Sequence, residues 1–166
     1  MLFRSRAFKA LPIGSTAKVE GPFGSLALHN DRARPAVFIA GGIGITPFMS
    51  ILRQAAKHQS PQRLLLLYSN RRPEDAAFLA ELQQLEQQNK NFRLVATMTE
   101  MSKSARKWDG ETSFVNADLV NRVVGDLAAP IYYLVGPPAM VEAMQEVLSR
   151  AGVTEDNIRT EEFYGY

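Results

Sequence analysis

Apolar and polar positions follow two periods along the chain, and these periods predict strands and helices in alternation. Short uninterrupted apolar runs are typical of strands covered on both faces in a parallel sheet. Such runs lie at residues 37–39, 63–69 and 131–135, and the segments 92–99 and 158–163 are also interpreted as strands. Apolar residues at helical spacing predict helices at residues 47–58, 73–88, 116–124 and 139–151. This alternation predicts an α/β fold with a doubly wound, mainly parallel sheet of five strands.

The first 35 residues differ in character from the rest of the chain. Residues 16–20 and 25–29 predict two short strands, joined by a turn of sequence Gly-Pro-Phe-Gly at residues 21–24. Because two strands cannot form a core alone, they must pack on another element. The polar residues 30–35 then form a linker that ends in a proline. We therefore expect a partial β segment with its linker at residues 1–34, and an α/β domain at residues 35–166.

Three glycines follow the first apolar run and predict a phosphate loop. Gly41, Gly42 and Gly44 allow a tight turn and let an anion approach backbone N–H groups. We expect Thr46 to cap the following helix and Pro47 to take its first position. A phosphate group is then the expected ligand of this Rossmann-like turn. The pattern departs from G-x-G-x-x-G at its last position, so a turn that serves only strand-to-helix packing stays an alternative.

Ligands of doubly wound sheets bind beyond the carboxyl ends of the strands, so the residues there are candidates. Ser69, Asn70, Arg71 and Arg72 follow the second strand, and the two guanidinium groups suit a 2'-phosphate, which favours NADP. The alternative is a solvated loop, or arginines that stack on adenine. The segment 136–140, Gly-Pro-Pro-Ala-Met, predicts a rigid corner that can hold a flat amide ring. A simple strand-to-helix turn explains that segment as well.

Composition narrows the possible functions. The chain has 166 residues and a net charge of +2, which is too small to indicate nucleic-acid binding. It contains no cysteine, which excludes disulfides and thiolate metal sites in this chain, and we expect no metal. No apolar run approaches the roughly 18 residues of a membrane helix, and no secretory signal is present, so we expect no membrane insertion and a cytoplasmic protein. His29 and His58 are isolated and are interpreted as satisfied or surface residues; Trp108 either anchors its loop or stacks on adenine.

Five ordered segments together resemble a known family. They are GPFGSLALH, AVFIAGGIGITPFMSILR, LLYSNRRPEDAAFLAEL, YYLVGPPAMV and EEFYGY. In this order they resemble the NAD(P)H-binding domain of the ferredoxin:NAD(P) reductase-like flavoprotein oxidoreductases, over nearly the whole chain. The resemblance implies a pyrophosphate site in the glycine loop, an adenosine site after the second strand and a nicotinamide-ribose site at the corner. The residues expected to bind NADP or NAD are Gly41, Gly42, Gly44, Ile45, Thr46, Pro47, Ser69, Asn70, Arg71, Arg72, Gly136, Pro137, Pro138 and Met140.

The resemblance also implies a flavin partner. In the family, hydride passes from the nicotinamide to an FAD or FMN held by a preceding β-barrel domain, and electrons then leave for a redox acceptor such as a protein. Glu162 and Phe163 are expected near the flavin as catalytic residues. Residues 1–30 resemble only the end of such a barrel, and its flavin-binding motif is not in the sequence. Three explanations stay open: a fragment, a flavin domain on another polypeptide, or function without flavin. The alternative function is a non-catalytic dinucleotide-binding or assembly module.

Overall fold

A five-stranded parallel sheet forms the centre of the structure, a computed structural model that describes residues 9–18, 20 and 26–163. The strands are β1 (Ala36–Gly41), β2 (Leu64–Asn70), β3 (Phe92–Met98), β4 (Ile131–Gly136) and β5 (Ile158–Glu162). Their order in the sheet is β3-β2-β1-β4-β5, and every neighbouring pair is parallel. The predicted doubly wound parallel sheet is therefore confirmed. Connections run to both sides of β1, which makes its carboxyl end the topological switch point.

Four helices cover the two faces of this sheet. They are α1 (Thr46–Lys57), α2 (Leu79–Gln88), α3 (Ala117–Val124) and α4 (Pro138–Arg150). Helices α1 and α2 contribute to one buried apolar cluster, and α3 and α4 contribute to the other. Within β1, Phe38 belongs to the first cluster, whereas Val37 and Ile39 belong to the second. Burial on both faces explains why β1 is apolar at every position.

One predicted helix is interrupted. The expected helix at residues 73–88 is a 3₁₀ turn at Pro73–Asp75, followed by α2, which begins only at Leu79. Phe78 precedes α2 with a φ of 60°, in the left-handed region, and this backbone conformation separates the two pieces. Its side chain is 41% exposed and lies under the Arg53 guanidinium.

The predicted N-terminal strands are not found in the described residues. Residues 16–18, 20 and 26–29 belong to no strand, and the predicted turn at residues 21–24 lies outside the described residues. A strand needs a neighbouring strand for its backbone groups, and here side chains fill that role. The hydroxyl of Tyr133 accepts a hydrogen bond from the His29 backbone N–H at 2.8 Å, and Arg159 donates to the Ala27 carbonyl at 2.8 Å. The prediction failed because it assumed backbone pairing.

Residues 26–34, which we name the connector, are fastened to the sheet by a buried polar cluster around His29. The Nδ1 atom of His29 lies 2.9 Å from the Tyr133 hydroxyl, and the Gln62 amide nitrogen lies 2.8 Å from Nε2. Gln62 also donates to the Arg34 carbonyl at 3.0 Å. His29 is therefore a satisfied buried histidine, as its isolation in the sequence indicated. Burial lowers the pKa of the His29 imidazole, and the nearby Arg159 and Arg34 charges lower it further.

Candidate functional site

A groove of about 840 Å³ lies at the carboxyl edge of the sheet, above the switch point. It is lined by Gly41, Gly42, Ile43, Ser69, Asn70, Arg71, Arg72, Asp75, Thr99, Glu100, Lys103, Phe114, Pro137 and Met140. Eight of these residues were expected from the sequence, and they come from the ends of three strands. The fold thus brings the glycine loop, the arginine segment and the Pro-Pro corner to a single cavity.

The glycine loop contributes both to the surface of the groove and to the buried packing beneath it. Residues Gly42–Ile45 form a 3₁₀ turn that runs directly into α1. Gly44 is packed so closely on β4 that an added Cβ would lie 2.6 Å from the Val135 carbonyl carbon. Gly44 and Ile45 are buried beneath the loop and do not line the groove cavity. These two residues therefore shape the loop, while Gly42 faces the cavity.

The expected capping role of Thr46 is wrong. Thr46 is itself the first residue of α1, Pro47 follows it, and no side chain caps the helix. The Thr46 hydroxyl instead donates to the Ile43 carbonyl at 3.0 Å. The reason is that the preceding 3₁₀ turn continues the helix backward, so the chain already has a helical conformation before Thr46. Neither Thr46 nor Pro47 lines the groove cavity.

At the corner after β4, the Met140 side chain packs against two glycines, Gly41 and Gly136. An added Cβ on Gly41 would lie 2.6 Å from the Met140 sulfur, and one on Gly136 would lie 2.7 Å from the Met140 Cε. Pro138 begins α4, and the Met140 N–H donates to the Pro137 carbonyl at 2.9 Å, which fixes the turn. A larger residue at either strand end would therefore have to displace the Met140 side chain.

The arginine segment after β2 is paired with carboxylates. Arg72 donates two hydrogen bonds to Asp75, at 2.7 and 2.8 Å, and these hydrogen bonds lower the pKa of the Asp75 carboxyl. Arg71 lies 3.7 Å from Glu100, which is also 2.8 Å from the Lys103 ammonium. Hydrogen bonding by Lys103 lowers the pKa of Glu100. The positive charges at this end of the groove are therefore largely balanced by acidic neighbours.

Asn70 places a buried side-chain amide at the groove. Asn70 is only 7% exposed, its side chain interacts with the Tyr68 hydroxyl, and its amide nitrogen makes no further hydrogen bond among the described residues. A buried N–H group without an acceptor costs free energy, and a ligand that accepts its hydrogen bond recovers that cost. Because Asn70 lines the groove, a polar ligand there can fill this role.

Phe114 is a groove residue that the sequence reasoning missed. It is 73% exposed, the second largest exposure among the large apolar side chains of the described residues. Residues 111–113 run beside the end of β3: the Met98 N–H donates to the Glu111 carbonyl at 2.9 Å, and Thr97 bonds the Ser113 carbonyl. This arrangement places Phe114 at the outer end of the groove. The sequence feature that could have indicated Phe114 is a single aromatic residue in a polar loop, two positions before the helix cap Asn116.

Trp108 anchors its loop and does not belong to the groove lining. Its indole nitrogen donates to the Glu111 carbonyl at 2.9 Å, and its ring packs against the apolar cluster under α1 and α2. Of the two interpretations of Trp108, anchoring is therefore confirmed. The aromatic ring that lines the groove is that of Phe114 instead.

Glu162 and Phe163 lie one strand away from the groove cavity. In the β4–β5 pairing Gly136 is opposite Glu162, and the Phe163 N–H donates to the Gly136 carbonyl at 3.0 Å. Phe163 packs against the first apolar cluster. The two residues are thus next to the Pro-Pro corner, but neither lines the groove. Their catalytic role stays a prediction.

A second cavity of about 870 Å³ lies between the connector and α1. It is lined by residues such as Leu28, Ile51 and His58 and contains no glycine turn and no strand end. Chemistry and topology therefore favour the carboxyl-edge groove as the functional site. Within the described residues, no helix is long and apolar enough to cross a membrane.

Comparisons with known proteins agree with a functional site in the carboxyl-edge groove. The family model described as the oxidoreductase NAD-binding domain matches residues 38–146. NADH-cytochrome b5 reductase 1 of Mortierella alpina is 31% identical over 92% of this chain and 51% of its own length. The reductase component of propane 2-monooxygenase from Rhodococcus jostii is 29% identical over 92% of this chain and 42% of its own length. The chain thus spans about half the length of the curated relatives it matches.

A solved structure shows the same fold. The cytochrome b5 reductase domain of Ulva prolifera nitrate reductase superimposes with a TM-score of 0.76 at 25% identity, covering 96% of this chain and 63% of that one. The family match extends over more than half of the chain and includes the glycine loop, the arginine segment and the Pro-Pro corner. The chain therefore belongs to the oxidoreductase NAD-binding domains of the ferredoxin:NAD(P) reductase type.

Proposed function

We propose that this chain binds NADH in the carboxyl-edge groove and presents the nicotinamide to a flavin held by another domain or subunit. The observation that carries the proposal is the convergence of three features on one cavity: a glycine loop, the buried amide of Asn70 and the corner at Pro137 and Met140, which packs on two glycines. A dinucleotide needs all three, because it has a diphosphate, polar sugar and base groups, and a flat amide ring.

Residues of this chain fit the parts of a dinucleotide in order along the groove. Gly42, with the loop shape that Gly44 and Ile45 maintain, suits the pyrophosphate. Ser69, Asn70 and Phe114 suit the adenosine, and Pro137 and Met140, against Gly136, suit the nicotinamide ribose. Bound NADH supplies a hydride and a flavin accepts it, so the task of this chain is binding and orientation. Glu162 and Phe163, beside the corner, are proposed to face the flavin.

The charge pairing after β2 favours NADH over NADPH. A 2'-phosphate would have to compete with Asp75 for the Nε and Nη2 N–H groups of Arg72, and it would approach Glu100 as well. The cis diol of NADH carries no charge and does not meet this competition. The two arginines alone favour NADP, as the sequence indicated, but their carboxylate partners reverse that preference. The family name and the M. alpina relative, an NADH-cytochrome b5 reductase, agree with NADH.

The connector supports a two-domain organisation. We propose that residues 35–166 form the nucleotide-binding unit, and that residues 1–34 contain the end of a flavin-binding barrel and the linker from it. The hydrogen bonds of His29 and Arg159 attach this linker to the sheet, so that a flavin domain joined to it would have a fixed point of attachment. The names of the relatives, a cytochrome b5 reductase and a monooxygenase reductase component, favour a redox protein as the final electron acceptor.

A reconstitution experiment tests the proposed function. The purified chain is mixed with a flavin-loaded barrel domain of a related reductase or with a flavoprotein encoded beside it, and NADH-dependent dye reduction is measured. We expect turnover only when both components are present, and the flavin component alone is the control. NADH binding without turnover for every flavin partner would favour the non-catalytic nucleotide-binding module. Absence of NADH binding would contradict both functions.

A further inference from the structure

The methionines of this protein divide into buried and accessible groups. Met49, Met98 and Met144 are buried among the described residues, whereas Met101 and Met140 are only partly buried. A thioether that solvent can reach is the form of methionine that peroxides oxidise, and the product is a polar sulfoxide. Two methionines in the described chain are therefore candidates for oxidation, and of these Met140 alone lines the groove.

Met140 has a position in which an added oxygen changes the binding surface. Its sulfur and Cε pack beside Gly41 and Gly136 so closely that neither glycine has room for a Cβ. A sulfoxide oxygen, which is larger than a lone pair and strongly polar, cannot enter that closed side. It would extend into the groove instead, at the corner that suits the nicotinamide ribose. Oxidation there would replace a soft apolar contact by a polar obstacle.

We propose that Met140 is an oxidative modification site that lowers nucleotide binding, an inference that rests on the proposed function. In the reaction the O–O bond of a peroxide breaks, and one oxygen forms a bond to the Met140 sulfur, which is oxidised by two electrons. The other oxygen leaves as water or, from an alkyl peroxide, as an alcohol. The groove thereby acquires a response to peroxide that a methionine sulfoxide reductase can reverse.

Peroxide treatment of the purified chain, followed by peptide mass spectrometry and calorimetric titration with NADH, tests this inference. We expect Met140 and Met101 to be oxidised before the three buried methionines. Saturating NADH should slow the oxidation of Met140 and leave that of Met101 unchanged. Oxidation should weaken NADH binding by about tenfold, and methionine sulfoxide reductase should restore it.

Two variants identify the residue responsible. Met101→Leu should lose NADH affinity on peroxide treatment as the unsubstituted protein does. Met140→Leu should show nearly the same affinity before and after treatment, each sample being compared with its own untreated control. Complete oxidation of Met140 with unchanged NADH affinity would overturn the inference and leave the proposed function intact. An untreated chain that binds no NADH would contradict the proposed function, and the inference with it.

Discussion

The connector and the groove are both polar regions next to the same parallel sheet, but they differ in how far their polar groups are hydrogen-bonded within the protein. In the connector, His29, Gln62 and Tyr133 bond one another or a backbone carbonyl, and Arg34 bonds the Ala129 carbonyl at 3.1 Å. In the groove, the buried amide nitrogen of Asn70 makes no further hydrogen bond in the described chain. Phe114 is exposed there as well. The first arrangement is complete in the free protein, whereas the second offers surface to the nucleotide that we propose binds there.

This difference predicts how substitutions in the two regions behave. Loss of an internal partner in the connector leaves a buried donor or acceptor unsatisfied and lowers the free energy of unfolding. Loss of a groove side chain removes a contact that exists only with the ligand and lowers affinity. Gly44 is the exception, since it lies under the groove and supports the fold as well. The following substitutions test the comparison.

We expect the largest effect from Gly44→Ala. The added Cβ would meet the backbone of Val135, which cannot move without disturbing the sheet, so stability should fall by about 1–3 kcal/mol. NADH binding should fall with it, because the loop shifts. Gly42→Ala is the matched control: its φ is 53° and nothing lies within 4 Å of an added Cβ, so strain alone costs about 1 kcal/mol. Urea unfolding measures the free energy of unfolding of both variants. Equal losses of stability would contradict the argument that Gly44 is packed against Val135.

Phe114→Ala should weaken NADH binding by about tenfold or more, since stacking on a base contributes about 1–3 kcal/mol. Unfolding stability should stay the same because the side chain is mostly exposed. Binding of reduced nicotinamide mononucleotide, which lacks adenosine, should not change. Phe78→Ala removes another exposed aromatic ring, outside the groove, and serves as control. Equal losses of affinity for both nucleotides would show that Phe114 does not contact the adenosine end.

Asp75→Asn should raise the ratio of NADPH to NADH affinity by about threefold to tenfold, because Arg72 becomes available to a 2'-phosphate. Glu81→Gln is a closely matched control, since Glu81 forms the same two-bonded pair with Arg53, at 2.6 and 2.8 Å, outside the groove. Titration of each variant with both nucleotides gives the ratio. A ratio that Asp75→Asn leaves unchanged would remove the Arg72 pair from the account of cofactor preference.

The connector should show the smallest effect, through pH. Because burial lowers the pKa of His29 below its ordinary value of 6.5, the unfolded chain takes up a proton at a higher pH than the folded chain. The free energy of unfolding should therefore fall as the pH drops below 6.5, until His29 is protonated in the folded state too. His29→Gln should cost about 1 kcal/mol at pH 8 and reduce this pH dependence. His58→Gln, at an exposed histidine, should keep the dependence, and NADH affinity at pH 8 should be unchanged in both.

The sequence predicted the parts of the structure that depend on local pattern. Strand β1 and the turn after it could be predicted from their own residues. Burial on both faces restricts the strand to apolar residues, and the tight turn favours glycine. The helix predicted at residues 73–88 was wrong in its first part because the positive φ of Phe78 breaks it, although the apolar spacing continues through that residue. The connector was misjudged because its partner, Tyr133, is 104 residues away from His29.

The candidate site could be predicted only where each residue follows a strand. Ser69 and Pro137 were identified from their position at strand ends, because the carboxyl ends of parallel strands meet at one edge. Phe114 could not be found in this way, since it reaches the groove through the pairing of residues 111–113 with β3. The pairing of Arg72 with Asp75 was also not apparent, because it depends on the 3₁₀ turn that interrupts the predicted helix.

Calorimetric titration of the purified chain with NADH, repeated with NADPH, measures directly whether the groove binds a dinucleotide. We expect one NADH site per chain, with NADPH binding more weakly. We also expect that Phe114→Ala weakens NADH binding while Phe78→Ala does not. A chain that is folded by circular dichroism and binds neither nucleotide, or an NADH affinity that is indifferent to Phe114, would contradict the assignment of the groove.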